Sequence, residues 1–256
     1  MKNWIRSCMI AFSMYSKLPV PQFEWKEENM RYAMIFFPWV GIVTGGLELL
    51  WFAVASRLGI PSGFYAAVAT VLPIVVTGGI HADGYIDTID ARASHQGKER
   101  RLEILKDPHT GAFAIIWAIV YFLLYHGAYQ VVSSYKSCLM IAVCYVASRA
   151  FSGLAAVTFP AAKKTGTLAV FSHAADRKLV RAVLIFYVLA AGSIELALWW
   201  ESGLVLIFCG GLFFAYYYRM AKKEFGGITG DLEGWFLQCF ELLMLLIVVL
   251  VELASK

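Results

Sequence analysis

The sequence predicts an all-α, polytopic integral membrane protein of about seven transmembrane helices with an N-terminal interfacial helix. Of its 256 residues, 60% are hydrophobic and only 16% are charged, whereas a soluble domain carries about a quarter of charged residues. Mean hydropathy is +0.66. The apolar residues gather into seven stretches, 36–56, 63–80, 111–132, 137–159, 180–199, 202–219 and 235–253, close to the ~20 residues that a bilayer-crossing helix needs. Only the intervening loops are polar, so residues 1–256 read as a single membrane domain without internal repeats.

At the N-terminus, Lys2 and Arg6 precede a short apolar run from Cys8 to Tyr15, and Lys17, Pro19 and Pro21 follow it. The run lacks a small-residue cleavage site and does not read as a signal peptide. Trp4, Ile5, Cys8 and Phe12 fall on one helical face, which predicts a helix lying on the membrane surface. Of the seven stretches, the second and sixth are the shortest. Trp199 and Trp200 suit one membrane interface and Tyr216 to Tyr218 the other. The five cysteines, at 8, 138, 144, 209 and 239, form no CxxC pair. That spacing suits reduced structural thiols and neither a zinc site nor a disulfide framework.

Basic residues orient the chain. With the N-terminus inside, Lys and Arg number five before residue 36, five in 81–110, five in 160–181 and three in 219–234, or 18 in all. Only Arg57, Lys136 and Lys256 fall outside, and Arg149 alone lies within a span. The positive-inside rule therefore places every long polar loop in the cytoplasm.

Chemistry-bearing residues concentrate in those loops. In GGIHADGYIDTIDA, residues 78–91, helical spacing puts Asp83, Asp87 and Asp90 on one face and Tyr85, Ile86 and Ile89 on the other. Carboxylates about 6 Å apart along a helix repel by roughly 3 kcal/mol at an effective dielectric of about 20, so a cation is expected to offset them. A few carboxylates with only oxygen to offer suit Mg²⁺ carried in on a substrate's phosphates. His81 reads more readily as a cap or core hydrogen bonder than as a ligand. In KERRLEILKDPHTGA, residues 98–112, Glu99, Arg100, Glu103, Lys106 and Asp107 share a helical face. Alone this is a surface helix with ion pairs worth little each. Beside the aspartate face, it reads as a site for metal plus phosphate.

Arg149 sits near the middle of the fourth span, where a charge is expensive and either functional or paired, with Glu48 or Glu195 as candidate partners. Two glycine-bearing loops complete the inventory. AAKKTGTLAVF, 161–171, offers Lys163 and Lys164 beside Gly166, and EFGGITGDLEG, 224–234, places Thr229, Gly230 and Asp231 in a turn whose backbone N–H groups can approach an anion. Glu241 follows three helical turns later.

These motifs resemble the adenosylcobinamide-GDP ribazoletransferase, or cobalamin synthase, family. The resemblance rests on GGIHADGYIDTIDA, RRLEILKDPHTGAF and GGITGD with Glu241 downstream, and on LPVP, FPWVG at 37–41 and SRA at 148–150 in the same order. It spans the whole chain. Ala91 stands where a glycine is usual, Ala82 where a bulkier apolar residue is usual and Lys17 where arginine is common, and KKTGTL is looser than the family's basic loop. None of these departures removes a carboxylate.

The resemblance implies a Mg²⁺-dependent phosphotransferase. It would join adenosylcobinamide-GDP and α-ribazole (or its 5′-phosphate) to give adenosylcobalamin (or its 5′-phosphate) and GMP. Asp83, Asp87, Asp107 and Asp231 are then the metal ligands. Asp90, as base, is grouped with Arg100 and Lys106 as catalytic. Arg149, Lys163, Lys164, Thr229 and Gly230 bind substrate. The expected setting is the plasma membrane with the site facing the cytoplasm, no nucleic-acid partner, and assembly either as a homo-oligomer or with other cobalamin-assembly enzymes. A CDP-alcohol phosphotransferase needs DGxxAR, but Asp83-Gly84 is followed by Tyr-Ile-Asp-Thr and Ala91-Arg92 lacks a preceding Asp-Gly. A cation-coupled transporter commonly shows repeated halves, and none is seen.

The charge split makes a topological prediction. A single cysteine introduced as His95→Cys into a cysteine-free chain reacts with an impermeant maleimide in inside-out vesicles and not in intact cells; labelling from outside reverses the orientation.

Overall fold

The computed structural model describes residues 2–163 and 167–255, folded into twelve helices. They are α1 (Lys2–Tyr15), α2 (Glu27–Met30), α3 (Phe37–Leu58), α4 (Ser62–Thr77), α5 (Ile80–Ala93) and α6 (Lys98–Ile104). There follow α7 (Ala112–Tyr129), α8 (Tyr135–Thr158), α9 (Thr167–Ala174), α10 (Arg177–Leu198), α11 (Trp200–Phe225) and α12 (Gly230–Ala254). No strand occurs among the described residues; one parallel bridge joins Ala161 to Ile228.

Six helical segments are long and apolar enough to cross a bilayer: Glu27–Leu58, α7, α8, α10, α11 and α12. The pair α4 and α5, bent by 95° at its break, would make a seventh if counted as one span. Gly78 and Gly79 form that break with φ of 68° and 79°, two successive left-handed residues that only glycine adopts readily. We read α4 as the crossing and α5 as a helix turned into the membrane plane. Two predicted boundaries move. The sixth stretch, expected to end at 219, continues to Phe225, and the seventh, expected to begin at 235, begins at Gly230. Charged turns extend both helices beyond the apolar stretch, where hydropathy no longer reports the helix.

Helix α1 is docked on the protein: Ser7, Ile10 and Ala11 are buried, and Ser7 Oγ donates to the Asn29 carbonyl at 2.6 Å. Of the face predicted to meet lipid, Trp4 and Ile5 are exposed while Cys8 is buried. The protein claims part of that face for its own core.

The bundle is built on close backbone approach. A Cβ at Gly45 would stand 2.8 Å from Ala142 Cα, and one at Gly41 would run into the Tyr145 carbonyl and touch Arg149 Cδ at 3.0 Å. Small residues four apart thus let α3 lie against α8, as membrane helices without a hydrophobic drive between them require. Within this contact Arg149 is 1% exposed and its Nη1 meets Glu241 Oε1 of α12 at 2.6 Å. The same nitrogen donates to the Tyr145 carbonyl at 2.9 Å and to Ser148 Oγ at 3.1 Å. The partner is therefore Glu241, not Glu48 or Glu195, because three turns down α12 its side chain faces α8.

Glu241→Leu leaves Arg149 buried without its counter-charge and should destabilise the fold by about 3–5 kcal/mol. The double variant Arg149→Met/Glu241→Leu should regain most of that loss. Thermal melts in detergent check both; a double variant as unstable as the single one contradicts this account.

Candidate active site

Helix α5 crosses the start of α12 with the two backbones touching. A Cβ at Gly84 would meet Asp231 Cα at 2.9 Å, and one at Gly234 would meet the His81 carbonyl oxygen at 2.9 Å. Tyr85 anchors the apolar side of α5, donating to the Trp117 carbonyl at 3.4 Å and packing on Tyr121 of α7. Its far end is clamped. Arg92 meets Glu224 with Nε at 3.0 Å and Nη2 at 3.2 Å, donates to Tyr216 OH at 3.1 Å, and lies over the Trp235 ring. Arg101 of α6 takes the same Glu224 at 2.8 Å.

So held, α5 leaves Asp83 exposed and Asp87 and Asp90 half-buried. Partial burial, then the charges of Asp83, Asp231 and Asp90, push the Asp87 carboxyl up to about 6. Four carboxylates thus act on one another at one end of the bundle. Gly111, before α7, abuts the Asp90 carboxylate, which would have to swing aside to admit a side chain there. The bridge at Ala161 and Ile228, with Ala162 N donating to the Ile228 carbonyl at 2.9 Å, brings the 160–163 loop alongside α12. Lys163 thereby comes close enough to Asp231 for their charges to interact. Its Nζ donates to the Leu102 carbonyl at 3.0 Å, and burial, then the Lys106 charge, lowers its pKa.

A family model described as cobalamin-5-phosphate synthase matches residues 7–249. The chain belongs to the cobalamin-5-phosphate synthase family. It is 47% identical to the adenosylcobinamide-GDP ribazoletransferase of Lachnoclostridium phytofermentans over 98% of this chain and 95% of that one. It is 31% identical to the enzyme so named in Clostridium perfringens, over 94% and 96%, and 28% to that in a Geobacillus species, over 91% of each. No solved structure matches.

In this cobalamin synthase family member the predicted residues that are described fall into four groups. Asp83, Asp87, Asp90, Asp231 and Lys163 come together. Thr229 caps α12, its Oγ1 accepting from Leu232 N at 3.3 Å and lying 3.4 Å from Asp231 Oδ2, with Gly230 exposed beside it. Arg100, Lys106 and Asp107 are exposed, on α6 and just after it. Arg100 pairs with Glu103 at 2.7 Å. Asp107 faces His109, whose backbone and ring hydrogen bonds hold its carboxyl below the usual range. Arg149 stands apart from the aspartates' surface, within the bundle and paired with Glu241. Lys164 lies outside the described residues. Among the described residues no three His, Cys, Asp or Glu side chains converge tightly enough to form a metal cage, so the carboxylates line a site without enclosing one. The clamp of Arg92, Arg101 and Glu224 escaped the sequence reading. Its partners lie 132 and 123 residues apart, and no spacing rule links them.

The raised Asp87 carboxyl has a sign. A folded-state pKa above the ordinary 3.8 means the folded protein holds that proton more tightly than the unfolded chain. The resulting stability is full below the ordinary value and lost as pH rises through about 6. The Tm of the metal-free protein should fall between about pH 4.5 and 6.5, and fall less in Asp87→Asn. An equal fall in both excludes Asp87 as the cause.

Proposed function

We propose that this chain is an adenosylcobinamide-GDP ribazoletransferase of the plasma membrane, its site facing the cytoplasm. It joins adenosylcobinamide-GDP to α-ribazole, or to its 5′-phosphate, and releases GMP. The observation that carries this reading is the gathering of Asp83, Asp90 and Asp231 around Asp87, with Lys163 beside them, on the motifs that carry the family resemblance. The 18-to-3 split of basic residues supports the orientation, and the exposed Trp4 and Ile5 of α1 support a place for that helix at the inner interface.

In the reaction, a ribose hydroxyl oxygen of α-ribazole bonds to the phosphorus nearer the cobinamide. The bond from that phosphorus to the bridging oxygen breaks, and GMP leaves with the oxygen. Phosphoryl transfer depends mostly on positioning and charge neutralisation. Lys163, Lys106 and Arg100 bind the diphosphate, and the backbone N–H groups at Thr229 and Gly230 add donors at the start of α12. Asp90, backed by Gly111, accepts the hydroxyl proton.

The donor set fits Mg²⁺: carboxylate oxygens only, mutually repelling, and open to a cation arriving with phosphates. Asp83, Asp87 and Asp231 would hold it, with Asp107 joining from the α6–α7 loop. Bound there, it supplies charge neutralisation at the diphosphate.

The purified chain in lipid should release GMP from adenosylcobinamide-GDP only with both α-ribazole and Mg²⁺ present, and EDTA should stop it. Asp83→Asn and Asp87→Asn should abolish turnover in a protein that still inserts. Asp90→Asn should keep nucleotide-substrate binding and slow turnover by about 10²–10⁴-fold. Undiminished turnover in Asp87→Asn, or release without α-ribazole, contradicts the reading.

A further inference from the structure

Beside Asp83, Gly230 and Asp231 opens a cleft of about 370 Å³. Its apolar wall is formed by Met14, Met34, Phe37, Leu168 and Leu237, which belong to α1, a turn before α3, α3, α9 and α12. Such a surface suits a flat hydrophobic ring, with sulfur atoms of two methionines available to its edge.

Of the residues lining this cleft, His81 has a ring nitrogen, Nε2, without a hydrogen-bond partner. The residue is only 5% exposed. The His81 ring lies between Tyr15 and Phe37, with centroids 6.2 and 5.9 Å away. Glu233, in the same lining, accepts from Ser152 Oγ at 2.5 Å. A buried polar atom left unpaired is destabilising, and a ligand with a complementary edge relieves it.

The cleft therefore has an apolar body, a buried imidazole nitrogen in its lining and aspartates at its mouth. A riboside with a flat apolar base matches that order. We propose that the cleft binds the dimethylbenzimidazole base of α-ribazole, its methylated ring among the methionines and Phe37, its unsubstituted ring nitrogen at His81, and its ribose directed out of the cleft toward the aspartate cluster. This rests on the ribazoletransferase reading. It assigns the second substrate to the α1–α5–α8–α12 side of the aspartates and leaves the Lys163 and Lys106 side to the diphosphate. A corrin ring exceeds the volume.

The test pairs equilibrium dialysis of α-ribazole against the full chain in nanodiscs with steady-state GMP release, each substrate varied in turn. Leu168→Trp narrows the cleft and should raise both Kd and KM for α-ribazole about tenfold or more, leaving KM for adenosylcobinamide-GDP unchanged. The riboside of unmethylated benzimidazole should lose less. Ala156→Met narrows the same cleft from α8 and replaces Leu168→Trp if that variant does not insert. His81→Leu should weaken α-ribazole alone. Unchanged α-ribazole affinity in the narrowed variants, with turnover intact, overturns the assignment. A rise confined to KM for adenosylcobinamide-GDP overturns it in favour of the guanine nucleotide. Binding of α-ribazole that the narrowed variants lose, in a wild-type chain that releases no GMP, upholds the cleft and overturns the reaction. Neither binding nor release overturns both.

Discussion

The contact of two glycines, Gly84 on α5 and Gly234 on α12, sets the geometry of everything at this end of the molecule. With Gly84 barely clear of the Asp231 backbone, α5 is seated across the mouth of the bundle, and its aspartates are brought onto the first turn of α12. A side chain at either glycine would lift α5 away and separate Asp87 from Asp231. The reverse turn at Gly78 and Gly79 delivers α5 to that crossing, and the Arg92–Glu224–Arg101 clamp fixes its other end. Like charges are thus held together by backbone packing and by cations set behind them.

A second polar system lies deeper, and its role differs. Arg149 and Glu241 are each almost completely buried, and the ion pair ties α8 to α12 while Gly41 and Gly45 bring α3 against the same face of α8. An ion pair in such a place contributes modestly to stability relative to an apolar pair of the same shape. Its effect is to define which faces meet. Since α12 also carries Asp231, the register of α12 against α8 sets where that carboxylate stands.

The placement of the site follows from what a bilayer tolerates. Inside it, irregular backbone and unpaired charge are costly. The break between α4 and α5, the bridge of Ala161 with Ile228 and the exposed Arg100, Lys106 and Asp107 all lie at the ends of the helices. There water and phosphate-bearing substrates have access, and short loops at the opposite end leave no room for a comparable site.

Much of this was legible in the chain itself. The apolar stretches located the crossings because burial in lipid demands a long uninterrupted run, and the four- and seven-residue offsets of Asp83, Asp87 and Asp90 placed them on one helical face because α-helical geometry leaves no alternative. The motifs named the family. Where α11 ends and α12 begins was misplaced, since charged turns extend helices past the lipid and hydropathy is blind to them. The partner of Arg149, the clamp on Glu224, the approach of Lys163 to Asp231 and the cleft at His81 were decided only by tertiary structure. Each joins residues distant in sequence, and their meeting depends on how closely particular glycines let two backbones approach, a quantity that residue spacing does not carry.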